Sequence, residues 1–483
     1  MRVAFLTLGC KVNSYETEKM KINFEKKGHS VVAFDEEADA YIINTCTVTN
    51  IADRKSRKML HRAKRLNPEA VVVATGCYVD SARAKGEVDE SVDLFISNSD
   101  KDNLVEIVLE RFYQINGQTL EQDAQNNCHA DIQLNSLVHE NMSEAAIKEE
   151  HTRAYIKIQD GCNQYCTYCI IPYVRGPLRS KSLEDIRDEV TKLAAAGYKE
   201  IVVTGIHLSS YGVNGKKSGE FLEKAGKPLL EALETIDSVE GVERIRLGSL
   251  EPRIITDGFA SRLSKIKTIC PHFHLSLQSG SESVLKRMNR HYSPQEYLDG
   301  VKILEKYFEN PAVTTDIIVG FPMETEEEFL ETVQFAKEVR FAQIHVFKYS
   351  RRQGTVADRM DGQITEHEKS LRSDRLLKCE KRLENEYMDR ALKKNEKVLF
   401  EEITEIGGKK YIIGYNERYI RIAVNADEIK DAQSKCNTIT DVEIIGKADD
   451  DDIILGKIND NIFIASCKSP VILSCSAIVL STR

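Results

Sequence analysis

From Met1 to about Arg359 the chain alternates short β-branched runs with stretches of helical period, and this alternation confines it to a parallel α/β architecture. The runs Val3 to Leu8, Val31 to Phe34, Tyr41 to Asn44, Val71 to Ala74 and Leu94 to Ser97 are nearly continuous in apolar residues, as strands covered on both faces are. Helical periods begin near Ser14, Val48 and Asp100. The segment therefore predicts a doubly wound parallel sheet over 1–114. Six more runs follow between His151 and Arg359: Ala154 to Ile158, Glu200 to Thr204, Arg244 to Leu247, His272 to Leu277, Val313 to Val319 and Ile344 to Phe347. Helical stretches separate them, which reads as βα units with right-handed crossovers. At 483 residues the chain is too long for one core and predicts about three domains at ~150 residues each.

Cysteines mark the ends of these strands. Cys162, Cys166 and Cys169 form a C-x3-C-x2-C loop directly after Ala154 to Ile158. Three thiolates with no fourth Cys or His close behind do not suit structural zinc, but they suit a 4Fe-4S cluster with one iron left open for a small molecule. Cys10, Cys46 and Cys77 each stand just past a strand of the first segment, in Leu8-Gly9-Cys10, Asn44-Thr45-Cys46 and Thr75-Gly76-Cys77. The carboxyl ends of strands in an open α/β sheet face one crevice, so these three thiols are expected to meet there. Gly9 and Gly76 let the backbone turn tightly against a bulky inorganic group. Two trios predict two clusters.

Composition excludes several classes. Twelve Cys, no signal peptide and no long apolar span predict a chain of the reducing cytoplasm, with no membrane segment and with Cys used for metal or catalysis. A net charge of −9 means that the chain as a whole does not advertise nucleic-acid binding. One helix is the exception: Arg54, Lys55, Arg57, Lys58, Arg62, Lys64 and Arg65 are dense enough for phosphates, although such a face is also often simply solvated. Trp is absent, which leaves base stacking to Tyr, Phe, His and Arg.

The cysteine loop resembles the signature of the radical S-adenosylmethionine (SAM) enzymes, in which the open iron chelates SAM. Thr7-Leu8-Gly9-Cys10-Lys11-Val12-Asn13-Ser14-Tyr15-Glu16, with Asn44-Thr45-Cys46, Ile170-Ile171-Pro172-Tyr173-Val174-Arg175-Gly176, His274-Leu-Ser-Leu-Gln278-Ser279-Gly280-Ser281 and Asp316-Ile-Ile-Val-Gly320-Phe321-Pro322, is similar to the methylthiotransferase family over most of the first 360 residues. The resemblance implies a radical SAM core over 148–378 built as a six-stranded partial (βα) barrel, after a linker over 115–147. It implies SAM contacts at Gly205, Ser249, Glu251 and Gln278, each of which equally suits a turn or cap role. SAM would serve twice, as source of a 5′-deoxyadenosyl radical and as methyl donor. The electron donor would be a flavodoxin or ferredoxin.

Short alternating strands over 381–457 read as a small β-barrel. It resembles the RNA-binding TRAM domain, which implies RNA contacts at Tyr415, Tyr419 and Arg421, residues that equally suit a sheet face. Family substrates are isopentenylated or threonylcarbamoylated adenosine beside the tRNA anticodon, and an aspartate of a ribosomal protein. Lys11-Val12-Asn13 and Tyr349-Ser350-Arg351-Arg352-Gln353-Gly354-Thr355 look most like the threonylcarbamoyladenosine branch, with Lys348 and Gln353 where that branch usually has Pro. Its carboxylate suits a clamp by Arg351 or Arg352. An RNA-binding iron–sulfur protein without catalysis is the reading from another class. The tail 458–483 lies outside the resemblance.

Overall fold

The structure, a computed structural model, describes residues 1–86, 89–115, 152–213, 219–448 and 453–458. The expected linker beyond Ile115, the tail beyond Ile458, the acidic run 449–452, and Cys128, Cys467 and Cys475 lie outside the described residues. The described residues form two compact units: Met1–Arg390 together with Glu417–Tyr419, and Ala391–Asn416 together with the described residues from Ile420 to Ile458.

The first unit opens with strands β1 (Arg2–Thr7), β2 (Ser30–Val32), β3 (Ala40–Thr45), β4 (Val71–Gly76) and β5 (Leu94–Ile96). They form one sheet in the order β2-β1-β3-β4-β5 with every neighbour parallel, the doubly wound arrangement expected from the sequence. Alternation decides which helix covers which face. Val3, Phe5, Ile42, Val71 and Val73 pack with Met20 and Phe24 of helix Lys11–Lys26 and with Val105 and Val108 of helix Leu104–Ile115. Ala4, Tyr41, Ile43, Val72 and Ala74 pack with Leu60 of helix Asn50–Leu66 and Val79 of helix Cys77–Lys85. Each fully buried Val, Ile or Phe contributes roughly 1.5–3 kcal/mol, so register slips that reverse the faces are strongly disfavoured.

Next come β6 (Arg153–Asp160), β7 (Arg179–Ser180), β8 (Glu200–Gly205), β9 (Arg244–Leu247), β10 (His272–His274), β11 (Ala312–Val319) and β12 (Gln343–Lys348). β6, β8 and β9 are mutually parallel, as are β10, β11 and β12, and parallel bridges Ile245↔Ile269 and Leu250↔Leu275 link the two sets. Two details depart from expectation. β7 is an antiparallel edge strand on β6, and β10 stops at His274.

Polarity is divided between the faces of these strands. Ile156, Ile201, Ile245, Phe273, Ile317 and Ile344 share a core with the surrounding helices. Intervening positions carry Arg153, Lys157, Glu200, Arg244, Arg246, His272, His274, Thr314, Asp316 and His345, so the inner face is charged and polar rather than a filled apolar barrel. Helix starts follow local chemistry: Ser293 with Glu296, and Thr325 with Glu328, close reciprocal capping boxes.

The second unit is a closed barrel of β13 (Asn395–Ile406), β14 (Lys409–Asn416), β15 (Arg421–Asn425), β16 (Ile439–Lys447) and β17 (Ile454–Ile458), in the order β13-β14-β15-β17-β16. Among the described residues no helix is long and apolar enough to cross a membrane.

Candidate functional site

The loop after β6 carries Cys162, Cys166 and Cys169, all half-buried free thiols. Its course is fixed from outside. Cys162 N–H donates to Gly176 O, Thr167 N–H to Met288 O, and Thr167 Oγ1 to Arg287 O. Gly161, at φ +72, lies so close to Pro177 that an added Cβ would stand 2.0 Å from its carbonyl oxygen, so only glycine fits. Arg290 Nη1 donates to Cys166 Sγ at 3.3 Å while its Nε holds Tyr292 Oη. Burial, reinforced by Cys166, pushes the Cys162 and Cys169 thiols up to about 11 and about 12. Thiolates there require compensating positive charge, which a metal group supplies.

Cys10 caps helix Lys11–Lys26, Cys46 follows β3, and Cys77 begins helix Cys77–Lys85 after β4. The parallel register sets these strand ends side by side, with Thr45 opposite Gly76. Both glycines are demanded by the turn. A Cβ on Gly9 would stand 3.0 Å from Cys46 Sγ, and one on Gly76 would stand 2.5 Å from Thr45 O. Burial, with Cys77 and Cys10 adding to it, pushes the Cys46 thiol up to about 11. A zinc ion with Zn–S near 2.3 Å would hold its sulfurs about 3.8 Å apart. Neither trio is that tight: among the described residues the one set of three His, Cys or carboxylate ligand atoms within 4.8 Å of one another is His274, Asp316 and His345. Wider spacing and an all-sulfur donor set fit a polynuclear iron–sulfur group.

The two trios are joined by packing and by charge. Cys77 packs on Ile170 and Val174, immediately after Cys169. Behind them Arg175, 3% exposed, donates to Glu16 at 2.8 Å, to Asp160 at 3.2 Å and to Asn13 Oδ1 at 2.8 Å. Lys157 and Lys101 also bind Glu16, and Asn13 Nδ2 holds the carbonyls of Leu8 and Thr45 that flank Cys10 and Cys46. Burial works against the Glu16 charge, but Lys101, Arg175 and Lys157 together hold its carboxyl well below the usual carboxylate range. A Glu16→Gln variant leaves Arg175 and Lys157 with Asp160, and Lys101 with the Asn44 side-chain oxygen in place of a carboxylate. Its expected cost is about 3–5 kcal/mol, read as a lowered urea midpoint of the anaerobically purified protein.

The strand-top residues singled out in the sequence occupy different settings. Ser249 is exposed and Gly205 packs on Gln159. Gln278 is buried at φ +70 with its backbone paired to β11. Glu251 is 4% exposed, and both of its oxygens are engaged, one by His207 Nε2 at 3.0 Å and one by Arg253. Burial opposes its charge, yet these two partners hold the carboxyl at about 2. His207 positions Glu251 and also meets Ser210 at 2.7 Å.

Arg352 differs from the free cation expected. It is 3% exposed, with Nη1 on Asp53 and Asn50 at 2.8 Å and Nη2 on Thr47 at 2.6 Å, so it latches its loop beside Cys46. Arg351 is exposed and pairs with Asp358 at 2.7 Å. Arg57, Arg351 and Arg352 line one cavity of about 320 Å³ with Asn50, Asp53, Gln353 and Asp358. Arg54, Lys55, Arg57 and Lys58 are exposed and have no ion-pair partner among the described residues, whereas Arg62 and Lys64 of the same helix are bound to Asp35 and Asp93. Tyr419, assigned to the first unit, has the guanidinium groups of Arg246 and Arg153 at 4.8 and 4.9 Å from its ring centre. Tyr415 and Arg421 are half-buried and face each other in the β14–β15 register. Arg290, Arg175 and Glu16 were not singled out in the sequence as site residues. Arg175 and Glu16 stand inside quoted motifs, while Arg290 carries no local signal.

The Radical SAM superfamily matches residues 156–336, and Uncharacterized protein family UPF0004 matches residues 2–97. Threonylcarbamoyladenosine tRNA methylthiotransferase MtaB of Bacillus subtilis (strain 168) is 40% identical over 88% of this chain and 91% of its own length. tRNA-2-methylthio-N(6)-dimethylallyladenosine synthase of Clostridium botulinum (strain Okra / Type B1) is 34% identical over 77% of this chain and 79% of its own. Among solved structures, the radical S-adenosylmethionine methyltransferase TsrM from Kitasatospora setae aligns with a TM-score of 0.48 and 13% identity, covering 74% of this chain and 76% of that one. Fold, cysteine loop and family match define a radical SAM α/β enzyme. Within that class the chain belongs to the tRNA methylthiotransferase family.

Proposed function

We propose that this protein methylthiolates C2 of N6-threonylcarbamoyladenosine at position 37 of tRNA, with SAM as radical source and methyl donor. The observation that carries the reading is the pair of cysteine trios at strand ends of one compact unit, in a chain 40% identical over 88% of its length to a threonylcarbamoyladenosine enzyme. When bound, a 4Fe-4S group on Cys162, Cys166 and Cys169 supplies the electron that cleaves SAM, and a second on Cys10, Cys46 and Cys77 supplies sulfur. The protein's own part is positional. Arg290 steadies the Cys166 sulfur, and the Glu16–Arg175 cluster fixes the two loops with respect to one another. The six parallel strands of the core form an open barrel whose polar inner face receives the substrate, and Gly205, Ser249, Glu251 and Gln278 form its SAM-facing rim.

This reading divides the first compact unit into a methylthiotransferase domain over 1–114 and a radical SAM core over 148–378, followed by a TRAM-like barrel over 381–457, although in the structure residues 381–389 complete the helix Glu366–Asp389 and belong to the first unit. The four unpaired cations Arg54, Lys55, Arg57 and Lys58 contact tRNA phosphates, and Tyr415 and Arg421 of the β-barrel contribute a second RNA surface. The enzyme works in the cytoplasm with a flavodoxin or ferredoxin as electron donor. A cavity lined by Arg57, Arg351 and Arg352, with Asp53 and Asp358 pairing the last two and Arg57 left as the cation without an ion pair among the described residues, suits the carboxylate of a threonylcarbamoyl group better than an apolar isopentenyl chain.

The test is nucleoside mass spectrometry after anaerobic reconstitution, on tRNA with and without the threonylcarbamoyl group. Product only from the first supports the reading, and equal product from both, or product on isopentenylated tRNA, overturns the substrate. Arg351→Leu removes a charge-assisted bond of about 1.5–3 kcal/mol and is expected to lower turnover at limiting tRNA roughly tenfold or more. SAM cleavage without tRNA stays at the parental rate. Arg352→Leu acts differently, because Asp53 loses its buried partner and stability falls first.

A further inference from the structure

We propose that His274, Asp316 and His345 form a site for a divalent transition-metal ion, separate from both cysteine trios. The three ligand atoms lie within 4.8 Å of one another on the polar inner face of adjacent parallel strands. Sheet register builds the set: His274 stands opposite Thr314 and Asp316 opposite His345, so residues two apart on β11 share one face with both histidines.

The decisive feature is what His274 does with its two nitrogens. Nδ1 meets Thr314 Oγ1 at 3.0 Å. If it donates that proton, Nε2 is left as the lone-pair nitrogen, the arrangement a metal-bound imidazole takes. Nε2 is buried without a hydrogen-bond partner, although Asp316 Oδ2 is only 3.3 Å away. The contact is close but off-line, as expected of two donors aimed at a common third point rather than at each other. Ligand atoms about 2.0–2.2 Å from a tetrahedral ion stand roughly 3.3–3.6 Å apart, which this separation matches. The ring of His345 lies 5.8 Å from that of His274, near-parallel and on the exposed side. Two imidazoles and a carboxylate select Zn²⁺, Fe²⁺ or Ni²⁺ over Ca²⁺ or Mg²⁺, and three protein ligands leave a position for water or a substrate donor. Lys11 is the nearby cation that also acts on His345, and it moderates affinity for a dication.

The test uses the full-length protein with its clusters reconstituted, dialysed anaerobically against buffered Zn²⁺, with zinc and iron counted in the same sample. The parent is expected to retain about one Zn²⁺ per chain more than His345→Ala and Asp316→Asn at equal iron content. His345 is exposed, so its replacement leaves the core intact. Zinc-edge X-ray absorption on the parent is a second, variant-free readout: a shell of nitrogen and oxygen with imidazole scattering is expected. Equal zinc in parent and both variants, or sulfur in that shell, overturns the site.

Discussion

Replacing Cys162, Cys166 or Cys169 by Ala is expected to abolish reductive cleavage of SAM to 5′-deoxyadenosine. The loop itself survives the change, because the hydrogen bonds of Cys162 and Thr167 to Gly176, Met288 and Arg287 use no sulfur, and Gly161 is locked against Pro177. Arg290, the cation beside the trio, donates only and cannot bind iron, and the nearby Glu251 carboxylate is already held by His207 and Arg253. Two thiolates then face a group that needs three and must still leave one iron for SAM. On the proposed two-cluster reading, iron per chain should fall from about eight to about four. Parental 5′-deoxyadenosine formation by any of the three variants would remove the assignment of this loop.

The cysteine trios and the first sheet were legible because their signals are local. Three runs ending in Gly9-Cys10, Thr45-Cys46 and Gly76-Cys77 need only a parallel sheet to converge, and β1, β3 and β4 supply it. The polar inner face of the core was not legible. Runs such as Arg-Ile-Arg-Leu and His-Phe-His-Leu alternate as any half-solvated strand does, and only the arrangement of six strands turns Arg244, His272 and His274 inward rather than to bulk water. Arg352 shows the same limit: its guanidinium is plain in the sequence, but Asp53, which occupies it, stands 299 positions earlier. Glu16 and Arg175 are 159 positions apart, and nothing in either neighbourhood announces that they meet.

Removal of the Cys10 thiol separates the two centres. Cys10→Ala is expected to retain SAM cleavage at near-parental rate while yielding no methylthiolated tRNA, because in the proposed function this trio supplies sulfur rather than the electron for SAM. Among the three members Cys10 gives the cleanest test. It is exposed at the start of its helix and makes no close hydrogen bond through sulfur, so little packing is lost. Cys77 is less clean, since it packs against Ile170 and Val174 next to Cys169 and its truncation disturbs both centres. Cys46→Ala lies between, with a buried side chain but a backbone anchored by Ser56, whose Oγ accepts from Cys46 N–H and donates to Cys46 O. The expected order of damage to SAM cleavage is therefore Cys77 worst, then Cys46, then Cys10, while methylthio product is absent in all three. Assays of 5′-deoxyadenosine and of modified nucleoside on the same samples distinguish the outcomes. Product at the parental rate from Cys10→Ala would make the second trio structural and would return the sulfur-delivering role to some other part of the chain.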